Sequence, residues 1–267
     1  MVNRFSNIMC WLMLVTVFVG TGCEQEYKRK EEAVVLNPLA DPNFIVPGYT
    51  VRAIEATGGR QAWIRAKKLE FDCVVTFYRP DDSLYLTEQH YEIYPWLNCI
   101  RISADEPQGR FVCQLSGGLF SVLEGAEPVV NRNFAEAILN ITTAPVRFLD
   151  GSAIFTKVVK PIKMEGQWYY QIRRAIGAAG SQPGVRPSGR AKLVFCQNRE
   201  SYLVDMLQSA EETDGESFLA VRGYDYKKAE KGGVLVPTKI EIFETDSSGV
   251  LKKRLVKIDY YAVKSTD

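Results

Sequence analysis

The sequence contains a single histidine, His90, which excludes metal sites built from several imidazoles. It has almost no net charge, because 33 Lys and Arg residues face 32 Asp and Glu residues. Nucleic-acid-binding domains gather a basic excess on one face, so this balance argues against that class. Glycine-rich phosphate loops and the Gly-x-Ser-x-Gly turn of serine hydrolases are also missing. We therefore predict a non-enzymatic protein without cofactor or metal, and a hydrolase that uses His90 is the least favoured alternative.

The chain also lacks an apolar run of about 20 residues, the length that a membrane-spanning helix needs. Residues 8–19 are apolar and follow Arg4, a pattern typical of a secretory signal peptide. The segment Gly20-Thr21-Gly22-Cys23 after them resembles the lipobox of bacterial lipoproteins. That resemblance implies a diacylglyceryl group on Cys23, which becomes the mature N-terminus. Cleavage after Gly22 by the ordinary signal peptidase and an uncleaved anchor remain as alternatives.

The composition divides the chain into three parts. We predict a signal peptide over residues 1–22, a lipidated N-terminus and flexible tether over residues 23–46, and one domain over residues 47–264. The tether begins with a mixed-charge run and continues through Pro38 and Pro42, which disfavour helix and strand. Residues 177–189 contain four glycines and two prolines and are predicted to be a mobile loop.

Four cysteines lie beyond the predicted lipidation site: Cys73, Cys99, Cys113 and Cys196. Four cysteines allow three different sets of disulfide pairs. An exported protein can form disulfides. None of the four has the two-residue spacing of a zinc knuckle or a redox motif. Cys73 and Cys113 alternate with apolar neighbours, so buried free thiols are our first interpretation.

From residue 68 onward, apolar residues recur at every second position and turns separate the runs. Eleven or twelve strands at hairpin spacing, two of them over residues 84–94 and residues 235–245, predict an antiparallel meander rather than parallel βαβ units. Helices are predicted over residues 48–67, interrupted at Gly58, and over residues 134–140, capped by Asn133 and stopped by Pro145. A sheet of this length must coil because its strands twist. The predicted fold class is therefore mainly β (α+β).

Several short motifs resemble the lipoprotein-localisation superfamily of LolA/LolB-like and LppX-like proteins. Residues 56–63 read Ala-Thr-Gly-Gly-Arg-Gln-Ala-Trp and lead into an apolar strand that begins at Leu69. Residues 166–170 resemble the family's central hairpin, and residues 232–240 resemble the glycine, proline and isoleucine strand near its C-terminus. The resemblance implies an incomplete barrel of about 11 strands, closed by a few helices. In such a fold, the concave face binds acyl chains or a lipidated partner.

Apolar strand and helix positions provide the candidates for residues that line this cavity: Trp63, Phe71, Phe77, Phe111, Phe120, Trp168, Tyr170 and Ile172. Ordinary core packing is the competing interpretation of these side chains. The resemblance implies a non-catalytic lipoprotein of the bacterial cell envelope, anchored by lipid and facing the periplasm, with the inner or outer membrane undecided. The alternative is an anchored scaffold lipoprotein with a filled core and no lipid ligand.

Overall fold

The computed structural model describes seven stretches of the chain: residues 48–125, 127–149, 154–157, 161–175, 193–209, 219–246 and 250–266. The predicted signal peptide, Cys23, the predicted tether and the predicted loop at residues 177–189 lie outside the described residues. None of the helices in the described stretches is both long and apolar enough to cross a bilayer.

The described helices are short and fall into two pairs: α1 (Gly48–Ala56), α2 (Gly59–Arg65), α3 (Arg132–Thr142) and α4 (Ala144–Leu149). Five strands separate the two pairs: β1 (Lys68–Tyr78), β2 (Leu84–Tyr94), β3 (Cys99–Glu106), β4 (Gly109–Ser116) and β5 (Leu119–Gly125). Ten strands follow the second pair: β6 (Ile154–Lys157), β7 (Ile162–Met164), β8 (Gln167–Ala175), β9 (Leu193–Asn198), β10 (Val204–Ser209), β11 (Leu219–Tyr224), β12 (Lys227–Lys228), β13 (Leu235–Val236), β14 (Lys239–Thr245) and β15 (Leu251–Thr266).

Thirteen of these strands form one sheet in the order β5-β4-β3-β2-β1-β15-β14-β11-β10-β9-β8-β6, and β7 also pairs with β8. The strand pairs are antiparallel, which confirms the predicted meander. The last strand, β15, pairs with the first, β1, along nearly the whole length of β1. Within the described chain, β5 ends the order on one side and β6 on the other, so the sheet stays open as predicted.

The sheet curls around α3. This helix contacts β3 and β4 on one side and β10 and β11 on the other. In a flat sheet, β4 and β10 would lie seven strand spacings apart, or about 34 Å at about 4.8 Å per strand. A helix with its side chains is only about 10–12 Å wide. The two halves of the sheet therefore rise on either side of α3, and we call the face that holds the helix the concave face.

Alternation along β1 and β2 separates an apolar concave face from a more polar outer face. In β1, Leu69, Phe71, Cys73 and Val75 are fully buried, and the residues between them are half-buried. The strand bounds predicted for β2, residues 84–94, match the structure. The fold class inferred from the period-two pattern is thus confirmed.

Two predictions about the second helix pair are wrong in detail. Asn131, not Asn133, caps α3, because its side-chain oxygen accepts a hydrogen bond from the Phe134 backbone N–H at 3.0 Å. The helix ends at Thr142, and Pro145 lies in the first turn of α4 instead of simply stopping α3. First-turn N–H groups need no intrahelical partner, so proline is tolerated there.

The prediction also missed the three-residue strand β7 and the two-residue strand β12. Residues 235–245, predicted as one strand, form β13 and β14 instead, separated by Pro237 and Thr238. Proline has no N–H for a sheet ladder, which explains the break.

Candidate functional site in the concave face

Helix α3 lies lengthwise above β1. Near its start, the Phe134 ring packs on Phe77 with centroids 5.6 Å apart. At its end, Thr142 faces Tyr260, the β15 register partner of Cys73. Phe134 and Thr142 are about 12 Å apart along a helix. Phe77 and Cys73 are about 13 Å apart along a strand. These equal spans place the helix axis along β1.

The inward side of α3 fills the concave face with apolar side chains. Phe134, Ile138, Leu139 and Ile141 are all buried. Their spacing is the three- and four-residue repeat of a helix face that covers a core. The helix therefore occupies the volume in which the resemblance to LolA-like proteins implies a ligand.

The predicted cavity residues fall into two groups. Trp63, Phe71, Phe111 and Ile172 are at most 1% exposed, in the packed interior. Trp168, at the start of β8, is 45% exposed. The other three are half-buried: Phe77, Phe120 and Tyr170. The half-buried residues are spread over β1, β5 and β8 and do not form one surface.

Trp63 anchors the first helix pair. Its indole N–H donates to the Thr57 hydroxyl at 3.0 Å, and its backbone carbonyl accepts from the Trp96 indole at 3.0 Å. The Thr57 backbone carbonyl in turn accepts a hydrogen bond from the Leu235 N–H at 2.9 Å. Gly58 has a φ of +111°, and a Cβ there would lie 2.5 Å from the Gly233 carbonyl oxygen. The two glycine-rich motifs of the sequence thus contact each other and have a structural role.

A cluster of polar side chains lies below the C-terminal end of α3. Gln89, Cys73 and Tyr260 form one row across β2, β1 and β15, since Cys73 is in register with both of the others. The Tyr91 hydroxyl donates to Gln89 Oε1 at 2.8 Å, and the Tyr91 and Tyr260 rings meet edge to face at 6.0 Å. Thr142 covers the row from above. We call these five residues the polar cluster.

Three atoms of the polar cluster lack a hydrogen-bond partner among the described residues: Gln89 Nε2, the Tyr260 hydroxyl and Thr142 Oγ1. The Thr142 side chain is close enough to Tyr260 to oppose part of the rise in the pKa of that hydroxyl, but the two hydroxyls do not meet hydrogen-bond geometry. The three side chains are at most 8% exposed. An unsatisfied buried polar group costs about 1–3 kcal/mol. The cluster therefore holds unused hydrogen-bonding capacity inside an apolar face.

Burial keeps the polar cluster uncharged. Desolvation raises the pKa values of Tyr91 and Tyr260 well above the usual 10, and it raises the pKa of Cys73 to about 12. The hydroxyls and the thiol thus stay protonated at any physiological pH. A thiol in this state is a poor nucleophile.

A second polar group lies at the other end of α3, where Phe77 and Tyr85 pack with ring centroids 6.1 Å apart. Glu106, on the concave side of β3, accepts hydrogen bonds from the Tyr85 hydroxyl and, at 2.7 Å, from Gln108 Nε2. Its carboxyl group is buried. Two neutral donors on one carboxylate oxygen offset part of the desolvation cost.

The outer face carries its own small core near β8, β9 and β10. Tyr169, Val194, Cys196 and Met206 are buried there, and residues of β7 cover them. Asp205 lies next to this cluster with its Oδ2 3.4 Å from Asn198 Nδ2. Burial raises the pKa of Asp205 to about 7, and the Asn198 and Tyr169 side chains only partly oppose that rise.

The titratable residues weighed from the sequence do not assemble into a reactive centre. His90 lies on the outer face of β2, half-exposed, with Nδ1 2.7 Å from Asp72 Oδ1. The four cysteines of the domain are free and buried, as first interpreted. Across the described residues, no three His, Cys, Asp or Glu side chains converge as a metal site would require.

The polar cluster was not predicted, although the sequence held a signal for it. In β2 the concave positions are Tyr85, Thr87, Gln89, Tyr91 and Ile93, and an amide in the middle of such a row departs from the apolar pattern. The sequence could not show that Tyr260 and Thr142 join Gln89, because they come from distant segments.

The fold resembles that of solved proteins. A LolA superfamily protein from Nitrosomonas europaea superposes with a TM-score of 0.52 at 12% identity, over 84% of this chain and 95% of that chain. A DUF1329 family protein from Desulfovibrio piger superposes with a TM-score of 0.46 at 9% identity, over 82% of this chain and 92% of that chain. No family model matches the sequence, and no curated protein matches it. The chain has a LolA-like fold.

Proposed function

We propose that the protein is a non-catalytic envelope lipoprotein that binds a lipid or a lipidated partner in its concave face. The observation that carries this proposal is the position of α3. An 11-residue helix, not a second sheet, covers the apolar face of an open LolA-like sheet. A short amphipathic helix can be displaced by a ligand that offers the same sheet face an equivalent apolar surface.

The energetics of such an exchange nearly balance. Exposing the four buried side chains on the inward side of α3 costs about 6–12 kcal/mol, at about 1.5–3 kcal/mol each. Burying an acyl chain of about 16 carbons regains about 12 kcal/mol, at about 0.8 kcal/mol per methylene. One long acyl chain is therefore enough to replace the helix, whereas a small apolar molecule is not.

The second candidate is an anchored scaffold lipoprotein that binds no lipid. The packed interior favours it, since Trp63, Phe71 and Ile172 have no exposed surface. In that case α3 is a permanent part of the core, and partners would contact the outside of the domain.

Lipid extraction separates the two candidates. The full-length chain with Cys23→Ser, which cannot be acylated at that position, is purified without detergent and extracted for mass spectrometry. We expect about one acyl-bearing molecule per chain. Extracts without lipid would refute the lipid-binding proposal and favour the scaffold.

Two destabilised variants test the role of α3. Phe134→Ala removes the contact with Phe77 and should increase lipid uptake from vesicles, because α3 is then held less firmly. Met206→Ala removes a buried side chain from the outer-face core and serves as the matched control. Both changes cost about 2–5 kcal/mol of stability. Equal uptake by the two variants would contradict displacement of α3.

We further propose that the protein is exported and held at a membrane by acylation of Cys23. Support comes from the apolar segment at residues 8–19 and from the small residues before Cys23. Intact-mass measurement of the wild-type protein should give a diacylglyceryl increment that Cys23→Ser abolishes. An unmodified Cys23, or cleavage elsewhere, would exclude the anchor.

A further inference from the structure

We propose that the polar cluster is an internal binding site for a neutral hydrogen-bond acceptor, namely the ester carbonyl of an acyl ligand. This inference rests on the proposed lipid-binding function and adds the chemical class of the ligand. It places the ester next to Gln89, Tyr260 and Thr142, with the acyl chain along the apolar part of the concave face that α3 covers.

The unpartnered atoms define the chemistry of the ligand. The amide nitrogen of Gln89 can only donate, and the two hydroxyls can donate as well as accept, so a ligand that presents acceptors can satisfy all three atoms. No charged side chain takes part, and burial keeps Tyr260 neutral, so the site has no charge to balance an anion. A neutral carbonyl oxygen satisfies both conditions, and acyl esters place such an oxygen at the end of an apolar chain.

Water is a poor substitute in this position. The three atoms are buried, so no solvent molecule can contact them in this arrangement. Movement of α3 would carry Thr142 with it and open the row formed by Gln89, Cys73 and Tyr260. The same movement that admits an acyl chain therefore exposes the donors that would hold its ester.

The position of the polar cluster fits a ligand whose chain lies along β1. From Cys73 to Phe77 the concave face offers about 13 Å of strand, the length of roughly ten methylene groups at about 1.3 Å each. Val75 and Phe77 provide apolar surface over this span. The half-buried Phe77 marks the end at which a chain tail would leave the site.

The test compares two probes that differ only at the ester. Dioctanoylglycerol carries two ester carbonyls, and its dioctyl ether analogue carries none. Calorimetric titration uses the full-length chain with Cys23→Ser, stripped of bound lipid. We expect the ester to bind at least tenfold more tightly than the ether. Tyr260→Phe and Gln89→Met should each weaken ester binding by about fivefold, the value of one hydrogen bond, without changing ether binding.

Unliganded stability gives a second, independent readout. Tyr260→Phe removes a hydroxyl that has no partner in the described structure, so its melting temperature should rise by about 2–4 °C. The matched control is Tyr226→Phe, which removes a hydroxyl that donates to the Val204 carbonyl at 2.9 Å. That variant should melt lower than the wild type and bind both probes unchanged. Thr142→Val provides another variant should Gln89→Met not fold.

Each outcome has one reading. Equal affinity for ester and ether, or variants that weaken both alike, overturns the ester site and leaves the lipid-binding function standing. Failure of the wild type to bind either probe overturns the proposed function and the ester site together. Ester selectivity that Tyr260→Phe and Gln89→Met each reduce by about fivefold supports both.

Discussion

Replacing Asp205 by asparagine should stabilise the protein at alkaline pH but not at acid pH. Asp205 lies against a small apolar core on the outer face, and its Oδ1 has no hydrogen-bond partner among the described residues. Burial raises its pKa from 3.8 to about 7. Each pKa unit corresponds to about 1.4 kcal/mol, so ionised Asp205 destabilises the folded state by about 4 kcal/mol.

The direction of the effect follows from proton counting. Between about pH 4 and pH 7 the folded state holds a proton on Asp205 that the unfolded state has released. The free energy of unfolding therefore falls as pH rises through this window. The loss is complete above the folded pKa and absent below about pH 4, where Asp205 is protonated in both states. Asparagine never ionises, so Asp205→Asn escapes the loss.

Urea unfolding, monitored by tryptophan fluorescence at pH 4, 6 and 8, measures the difference in unfolding free energy between Asp205→Asn and the wild type. We expect Asp205→Asn to gain up to about 4 kcal/mol over the wild type at pH 8 and nothing at pH 4. Asp105→Asn, which removes an exposed carboxylate, controls for the general effect of lost charge. A gain that is the same at all three pH values would refute the assignment of a raised pKa to Asp205.

Further experiments test the packing of the first helix pair and the burial of the cysteines. Gly58→Ala should cost about 2–5 kcal/mol, since its Cβ would overlap the Gly233 carbonyl in a left-handed backbone conformation, whereas Gly48→Ala, with open space around it, should be nearly neutral in thermal unfolding. Trp63→Phe should lose about 2–4 kcal/mol of unfolding free energy, through the indole hydrogen bond to Thr57 and the smaller ring; a loss below 1 kcal/mol would contradict the anchoring role. Four buried cysteines should react with an alkylating reagent only in denaturant, as mapped by mass spectrometry: Cys73, Cys99, Cys113 and Cys196. Labelling of these four residues in the native protein would contradict their burial.

Local patterns carried most of the fold prediction. Alternation in β1 and β2 gave their bounds and faces, because sheet residues point to opposite sides at every step. The Gly-Gly-x-x-x-Trp segment was placed before the first strand, where the structure has it. The cap of α3 was misplaced by two residues, since both Asn131 and Asn133 are competent caps and only the folded backbone selects one.

The pairing of strands that are distant in the chain could not be predicted from the sequence. Nothing local indicates that β15 returns to pair with β1, yet this pairing brings Tyr260 beside Cys73. Likewise, periodicity places Thr142 on a helix but does not say which strand the helix covers. The polar cluster depends on both facts, so it could not be assembled from patterns that report only on neighbouring residues.

The open strand order has a consequence for the curvature of the concave face. The radius of a closed barrel is set by its strand number and stagger, and widening it breaks main-chain hydrogen bonds. Here β5 and β6 terminate the described order, so the sheet can flatten or tighten by a small change of twist at every strand, with all ladders intact. The width of the concave face can therefore change without loss of main-chain hydrogen bonds, so a small change of curvature does not require the strands to re-pair.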